Sequence, residues 1–267
     1  MNALVIGQYI PGESVVHKLD PRTKLILTAA YVTLVLSVRG VFGYIVAAGF
    51  VWFTCAIAGI KPRFLIRGLR SLALLVVMTS VLNIFFTGTG QTVMSWRFIR
   101  ITDDGLRLAS YFAARLIFLV TGTTLLTLTT SPIELTDALE SLMRPLERVR
   151  FPSHELAMMM SIALRFIPTL MEETDKIMKA QKSRGADFES GSLIRRAKAL
   201  TPLLAPLFIS AFRRAGDLAL AMESRCYQGG AGRTHMKQLK YDRHDAFAFA
   251  IMAALIALAL SERIWAA

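Results

Sequence analysis

Arginine carries a rigid, permanently charged fork that grips a carboxylate through two parallel hydrogen bonds. Fixed at the tip of a helix, it can both push and pull an acidic partner. Two positions in this chain have that setting. The segments Ala180-Gln-Lys-Ser183-Arg184-Gly185 and Ala221-Met-Glu-Ser224-Arg225-Cys226 are near-copies, and each closes a predicted helix. An apolar stripe at Leu156, Met160, Ala163, Ile167, Leu170, Thr174 and Ile177 continues in phase through Gln181 to Arg184. A second stripe, Leu204, Phe208, Ala211, Ala215, Leu218 and Met222, lands on Arg225. This alternating 4-3 spacing is the seam along which helices pack at a shallow angle. Gly185 and Gly229-Gly230 supply the stops. A basic residue in the last turn also complements the helix dipole, so either Ser-Arg pair alone is explained as an ordinary helix end. Repetition on successive helices favours a shared docking task, and on the residues alone both readings stand.

Other chemistry finds little support. Gly229-Gly230-Ala231-Gly232-Arg233-Thr234 follows no predicted strand and contains no Gly-Lys-Ser/Thr, so it reads as a helix stop and turn rather than a phosphate loop. His17, His154, His235 and His244 lack the spacing of a metal or acid-base site. Cys55 and Cys226 define no disulfide framework and are expected to be free thiols. No catalytic constellation, no metal site and no bound cofactor are expected.

The elements that must hold the two arginines belong to a membrane protein. Of the 267 residues, 54% are hydrophobic, and the net charge of +12 is unevenly placed. Between Arg144 and Arg243 stand 18 Lys or Arg against 10 Asp or Glu, whereas several other stretches are almost uncharged. The expected fold is therefore all-α: about five transmembrane helices with a cytoplasmic or interfacial coupling module of amphipathic helices. Three regions are expected: a bundle of about four crossings at 1–131, a coupling module at 132–243, and a last crossing at 244–267. No cleaved signal is expected, because the first long apolar run begins only at Leu25.

Asp20 suits a helix cap and Pro21 the first helical position. Leu25 to Ile60, charged only at Arg39, predicts two crossings joined by a tight turn. Lys61, Arg63, Arg67 and Arg70 read as a basic connector before a third crossing ending near Phe86. Thr87 to Asp104 reads as a loop with Trp96 at the interface, and a fourth crossing is expected from about Leu106 to Thr130. Within it Arg115 is expected to snorkel towards the headgroups rather than build a site. An amphipathic helix is expected over Ile133 to Arg148, then two longer helices kinked or staggered by Pro168, Pro202 and Pro206. Ala246 to Ser261 predicts the fifth crossing. The positive-inside rule puts the N-terminus and the basic module in the cytoplasm and the C-terminus outside. Wedged between crossings and without aromatic platforms, the basic residues suit anionic headgroups and an acidic protein partner, not nucleic acid.

Over nearly its whole length the sequence resembles the transmembrane T component of energy-coupling factor (ECF) vitamin transporters, relatives of the cobalt-transporter Q-type permeases. Leu19-Asp-Pro-Arg-Thr-Lys24, Arg165-Phe-Ile-Pro168 and the two arginine-centred motifs carry the resemblance. The family's motifs typically read Ala-Arg-Gly; here they read Ser183-Arg184-Gly185 and Ser224-Arg225-Cys226. The resemblance implies that two ABC-type ATPases, which bind ATP and Mg2+, each take one arginine-tipped coupling helix. It also implies a small membrane-embedded S component that packs on this chain and releases a vitamin inward, so that this chain acts as a lever. Met158, Met159, Met160 and Met171 suit either core filling or a surface that re-packs against several S components. A dedicated cobalt, nickel or biotin version would share the fold. A membrane-embedded lipid-modifying enzyme is the alternative from another class, and it would need acidic or histidine clusters at the ends of crossings.

Overall fold

The computed structural model describes residues 9–38, 40–86, 91–96, 99–149, 151–188, 192–229 and 239–265. Arg39, His235, residues 230–234 and the side chain of Trp96 lie outside what is described. The chain forms two compact units, residues 1–138 with 238–267, and residues 139–237. It is a helical membrane protein.

In the first unit a one-turn helix, α1 (Val15–Lys18), precedes α2 (Pro21–Ser37). The Asp20 carboxylate accepts from the Arg22 backbone N–H at 2.9 Å and Pro21 opens the helix, as the sequence predicts. A turn leads to α3 (Val41–Ala58), which Gly59 ends at φ 64°. The basic connector is in fact helix: α4 runs Pro62–Phe86 and carries Arg63, Arg67 and Arg70 in its first turns. Arginine's long apolar stem lets a helix enter the membrane while its charge stays in water, so a basic connector and the crossing that follows it can be one helix.

The expected loop contains an antiparallel hairpin, β1 (Thr92–Trp96) and β2 (Ile99–Thr102). Thr102 then caps α5 (Asp103–Thr129), its hydroxyl accepting from the Gly105 N–H at 3.2 Å. Next, α6 (Pro132–Met143) begins with a reciprocal capping box between Ser131 and Glu134. It stops short of the expected Arg148, because a 3-10 segment, Arg144–Val149, follows with Pro145 near its start. The last helix of this unit, α9, spans Arg243–Trp265.

Three described helices, α3, α4 and α5, are long and apolar enough to cross a membrane. Helix α2 has 17 residues, the short limit of about 17–25 for a crossing. Helices α4 and α5 pair most closely. A Cβ added to Gly68 would sit 3.2 Å from Thr124 Oγ1, and one on Gly105 would sit 3.3 Å from the Asn83 and Ile84 carbonyls. Small residues of this kind let the backbones of membrane helices approach closely.

Tyr31, Leu34, Val35, Ala47, Val51, Leu125, Leu128 and Met252, from α2, α3, α5 and α9, form the buried core of this unit. Tyr31 stacks on Phe50 at 5.2 Å and presses one ring edge against Gly122, where any Cβ would be 2.4 Å from its Cε1.

At the start of α2 a polar clasp closes the core. The Asp20 N–H donates to the buried Asp245 carboxylate at 3.0 Å, and Arg22 lies 4.5 Å over the Tyr241 ring. Buried Lys24 donates from Nζ to the carbonyls of His17 (2.8 Å) and Thr129 (3.1 Å). His17 Nε2 donates to the Ile10 carbonyl, which leaves Nδ1 to accept from the Ser14 hydroxyl. Burial pulls His17 below its ordinary 6.5 despite the opposing bond to Ile10. Arg115 is anchored rather than free: its Nη2 donates to the Val38 carbonyl, just past the end of α2, at 3.0 Å.

The second unit is built on two long helices, α7 (Ser153–Ser183) and α8 (Leu193–Ser224). Both continue as helix through Pro168, and through Pro202 and Pro206, so none of these prolines divides its helix in two.

Candidate functional site

Each sequence-predicted arginine sits in the cap of its helix, and the two caps have the same backbone wiring. At the end of α7 the Ala186 N–H reaches the Gln181 carbonyl at 3.0 Å and the Gly185 N–H reaches Lys182 at 3.0 Å. At the end of α8 the Tyr227 N–H reaches Met222 at 3.0 Å and the Cys226 N–H reaches Glu223 at 2.8 Å. Both are Schellman closures, with Arg184 and Arg225 in the cap position and a left-handed residue immediately after. That residue is Gly185 at φ 88° in the first and Cys226 at φ 56° in the second. Cysteine therefore takes the glycine conformation, and the departure from Ala-Arg-Gly leaves the turn intact.

The serines are spent locally. Ser183 Oγ donates to the Lys179 carbonyl at 3.1 Å and Ser224 Oγ to Leu220 at 2.8 Å, each one turn back along its own helix. Ser183, Arg184, Gly185, Ser224, Arg225 and Cys226 are all exposed. The chemistry on offer at each tip is thus a guanidinium in water on a fixed backbone, with the serine holding the last turn together.

What joins the two helices is a contact that the sequence reading missed. Glu173 on α7 accepts from Arg214 Nη2 on α8 at 2.9 Å and also from the Ser210 hydroxyl. These two hydrogen bonds, Ser210 first, hold the Glu173 carboxyl below its ordinary 4.5. Ile162, Phe166 and Leu170 line a groove of about 240 Å3 with Ala211, Ala215, Leu218 and Met222. The groove follows the predicted stripe of α8, but on α7 the facing residues are Ile162, Phe166 and Leu170, of which only Leu170 belongs to the predicted stripe, and Met160, Ala163 and Ile167 are exposed. A signal was present: Glu173 stands eleven residues before Arg184, and Arg214 eleven before Arg225. Extending the repeat one step further back from the tips pairs opposite charges.

Of the methionines, Met159, Met160 and Met171 are exposed and Met158 is half-buried, all on α7. The base of α7 is tied down by His154 to Glu140 at 2.8 Å and by the Ser153 hydroxyl to Glu147. Among the described residues no group of three or more His, Cys, Asp or Glu could hold a metal ion.

Comparison with known proteins gives consistent results. Residues 12–236 match the profile of the CbiQ family, described as cobalt transport protein. The chain is 54% identical over 267 residues to the energy-coupling factor transporter transmembrane protein EcfT of Thermosediminibacter oceani, covering 99% of this chain and all of that one. It is 51% identical over 263 residues to EcfT of Clostridium kluyveri, covering 98% and 97% of the two chains. To EcfT of Bacillus subtilis it is 46% identical over 259 residues, with 97% of each covered.

Proposed function

The chain belongs to the CbiQ family of transport proteins, and on that premise we propose that it is the transmembrane energy-coupling subunit of an ECF-type importer. In this reading two ABC-type ATPases each take one arginine-tipped helix end. ATP and Mg2+ belong to those ATPases, and this chain passes their motion to a small S component that carries a vitamin. The observation that carries the reading is the pair of matched caps, Arg184 and Arg225, exposed on two helices pinned together by Glu173 and Arg214. A rigid fork on a fixed cap suits a bidentate grip on an acidic groove. The relatives' shared name favours this over a dedicated cobalt version, although the family's description names cobalt.

For the S component, the exposed Met159, Met160 and Met171 offer a surface that can re-pack. We further propose five crossings, α2, α3, α4, α5 and α9, with the N-terminus and the second unit cytoplasmic and the C-terminus outside.

The test is charge reversal in the assembled transporter. Arg184→Glu and Arg225→Glu should each lower transport and coupled ATP hydrolysis about tenfold or more while membrane insertion is unchanged. Wild-type rates in both variants overturn the docking role. Affinity purification of the tagged chain in mild detergent should recover two ATPases with one or more small membrane proteins. Several such proteins indicate a shared subunit, one indicates a dedicated subunit, and recovery of the chain alone counts against the reading.

A further inference from the structure

The core of the first unit leaves a cavity of about 330 Å3 that the coupling role does not use. This is within the usual range, about 300–1,000 Å3, of pockets that bury a ligand. Leu27 of α2, Phe50, Phe53 and Ile57 of α3, Leu125 of α5 and Phe247 of α9 make it almost wholly apolar. Tyr31, pressed on Gly122, lines one end. Phe53 and Phe247 are 48% and 70% exposed, so this wall reaches the outer surface of the unit, where a bilayer presents acyl chains.

At the other end the chemistry reverses. Lys24, Thr129 and His244 line it, and the exposed Lys18 and Arg243 adjoin the lining residues Leu19 and His244 in the chain. Lys24 is held in place by its two carbonyl bonds, so its charge is a fixed part of the wall. Asp242 stands 3.9 Å from His244 Nε2 and partly offsets the rim's positive charge. From Lys24 to Tyr31 the slot follows two turns of α2, about 10 Å.

We propose that this cavity binds an acyl chain of an anionic phospholipid, with the lipid phosphate at the end marked by Lys24, His244, Lys18 and Arg243. An apolar slot with a basic mouth between membrane helices has the polarity of such a lipid, tail inward and phosphate at the rim. A zwitterionic lipid would use the slot as well, but its own headgroup cation offsets the attraction of the exposed Lys18 and Arg243 at the rim. Placing the site in the cytoplasmic leaflet rests on the topology proposed above; binding does not.

The test is native mass spectrometry of the full chain, with whatever subunits stay bound, titrated with phosphatidylglycerol or with phosphatidylcholine of identical acyl chains. One phosphatidylglycerol should be retained about tenfold more tightly than phosphatidylcholine. Ala248→Trp, which fills the slot, should abolish that tight site. Arg243→Glu, at an exposed position, should weaken it about fivefold and leave the melting temperature unchanged, so it decides the matter even where the tryptophan variant fails to fold. Equal retention of the two lipids overturns the proposal. So does tight binding that both variants leave unaltered, or displacement by soluble glycerol phosphate as effective as by the lipid itself, which would make this an anion site. Sidedness is read separately, by thiol labelling in vesicles, so an error in topology cannot pass for a failure of binding.

Discussion

Cys226 carries a cost that Gly185 does not. A left-handed conformation costs a side-chain-bearing residue about 1–2 kcal/mol, whereas a glycine there adds about 0.4–1 kcal/mol of unfolded-chain freedom. The first effect outweighs the second. Cys226→Gly should therefore stabilise the end of α8 by about 0.5–1 kcal/mol, and Gly185→Ala should weaken the end of α7 by a similar amount. Hydrogen exchange of the amides at 225–227 and 184–186 in the full chain checks both signs. The Schellman closure at Gly185 is legible in sequence because glycine announces a positive φ. At Cys226 the residue type conceals it, and only alignment with the first motif suggests that the same turn is made.

Between α7 and α8 the Glu173 carboxylate has a pH signature. Its pKa is lowered in the folded chain by Ser210 and Arg214, so its contribution is complete above the ordinary 4.5 and lost as pH falls through the lower folded value. Acidification into and below the ordinary carboxylate range should therefore loosen the seam at this contact. Hydrogen exchange along α7 and α8 should rise there, and Glu173→Gln should show less of that pH dependence. The helices themselves were readable in advance, because apolar runs and the Asp20-Pro21 start are local signals. The helical entry of α4 was not, since a row of arginines looks like water-facing chain until their stems are counted. The β1–β2 hairpin is hidden for a different reason: glycines, threonines and polar residues carry the local signature of a loop, whereas the strands are set by pairing across the turn. The clasp of Asp20, Arg22, Tyr241 and Asp245 joins residues more than two hundred positions apart, a separation no local pattern spans.

At the scale of the whole molecule, the proposed topology has a native reporter. Cys226 is exposed in the second unit, whereas Cys55 is half-buried in α3. A membrane-impermeant maleimide should label Cys226 in inside-out vesicles and leave it unlabelled in right-side-out ones, with Cys226→Ser as the control. Labelling from the outer face would invert the orientation and move the arginine tips away from any cytoplasmic ATPase. The ion pair between α7 and α8 has a mechanical consequence as well. The helical arm from Glu173 to Arg184 and the arm from Arg214 to Arg225 are equal in sequence length, and neither contains a proline. Eleven residues of helix measure about 16 Å, so a scissoring rotation of about 10° around that contact would carry either tip about 3 Å. With equal arms neither tip has the mechanical advantage, and a symmetric closure applied at both would reach the contact as torque with little net sideways thrust.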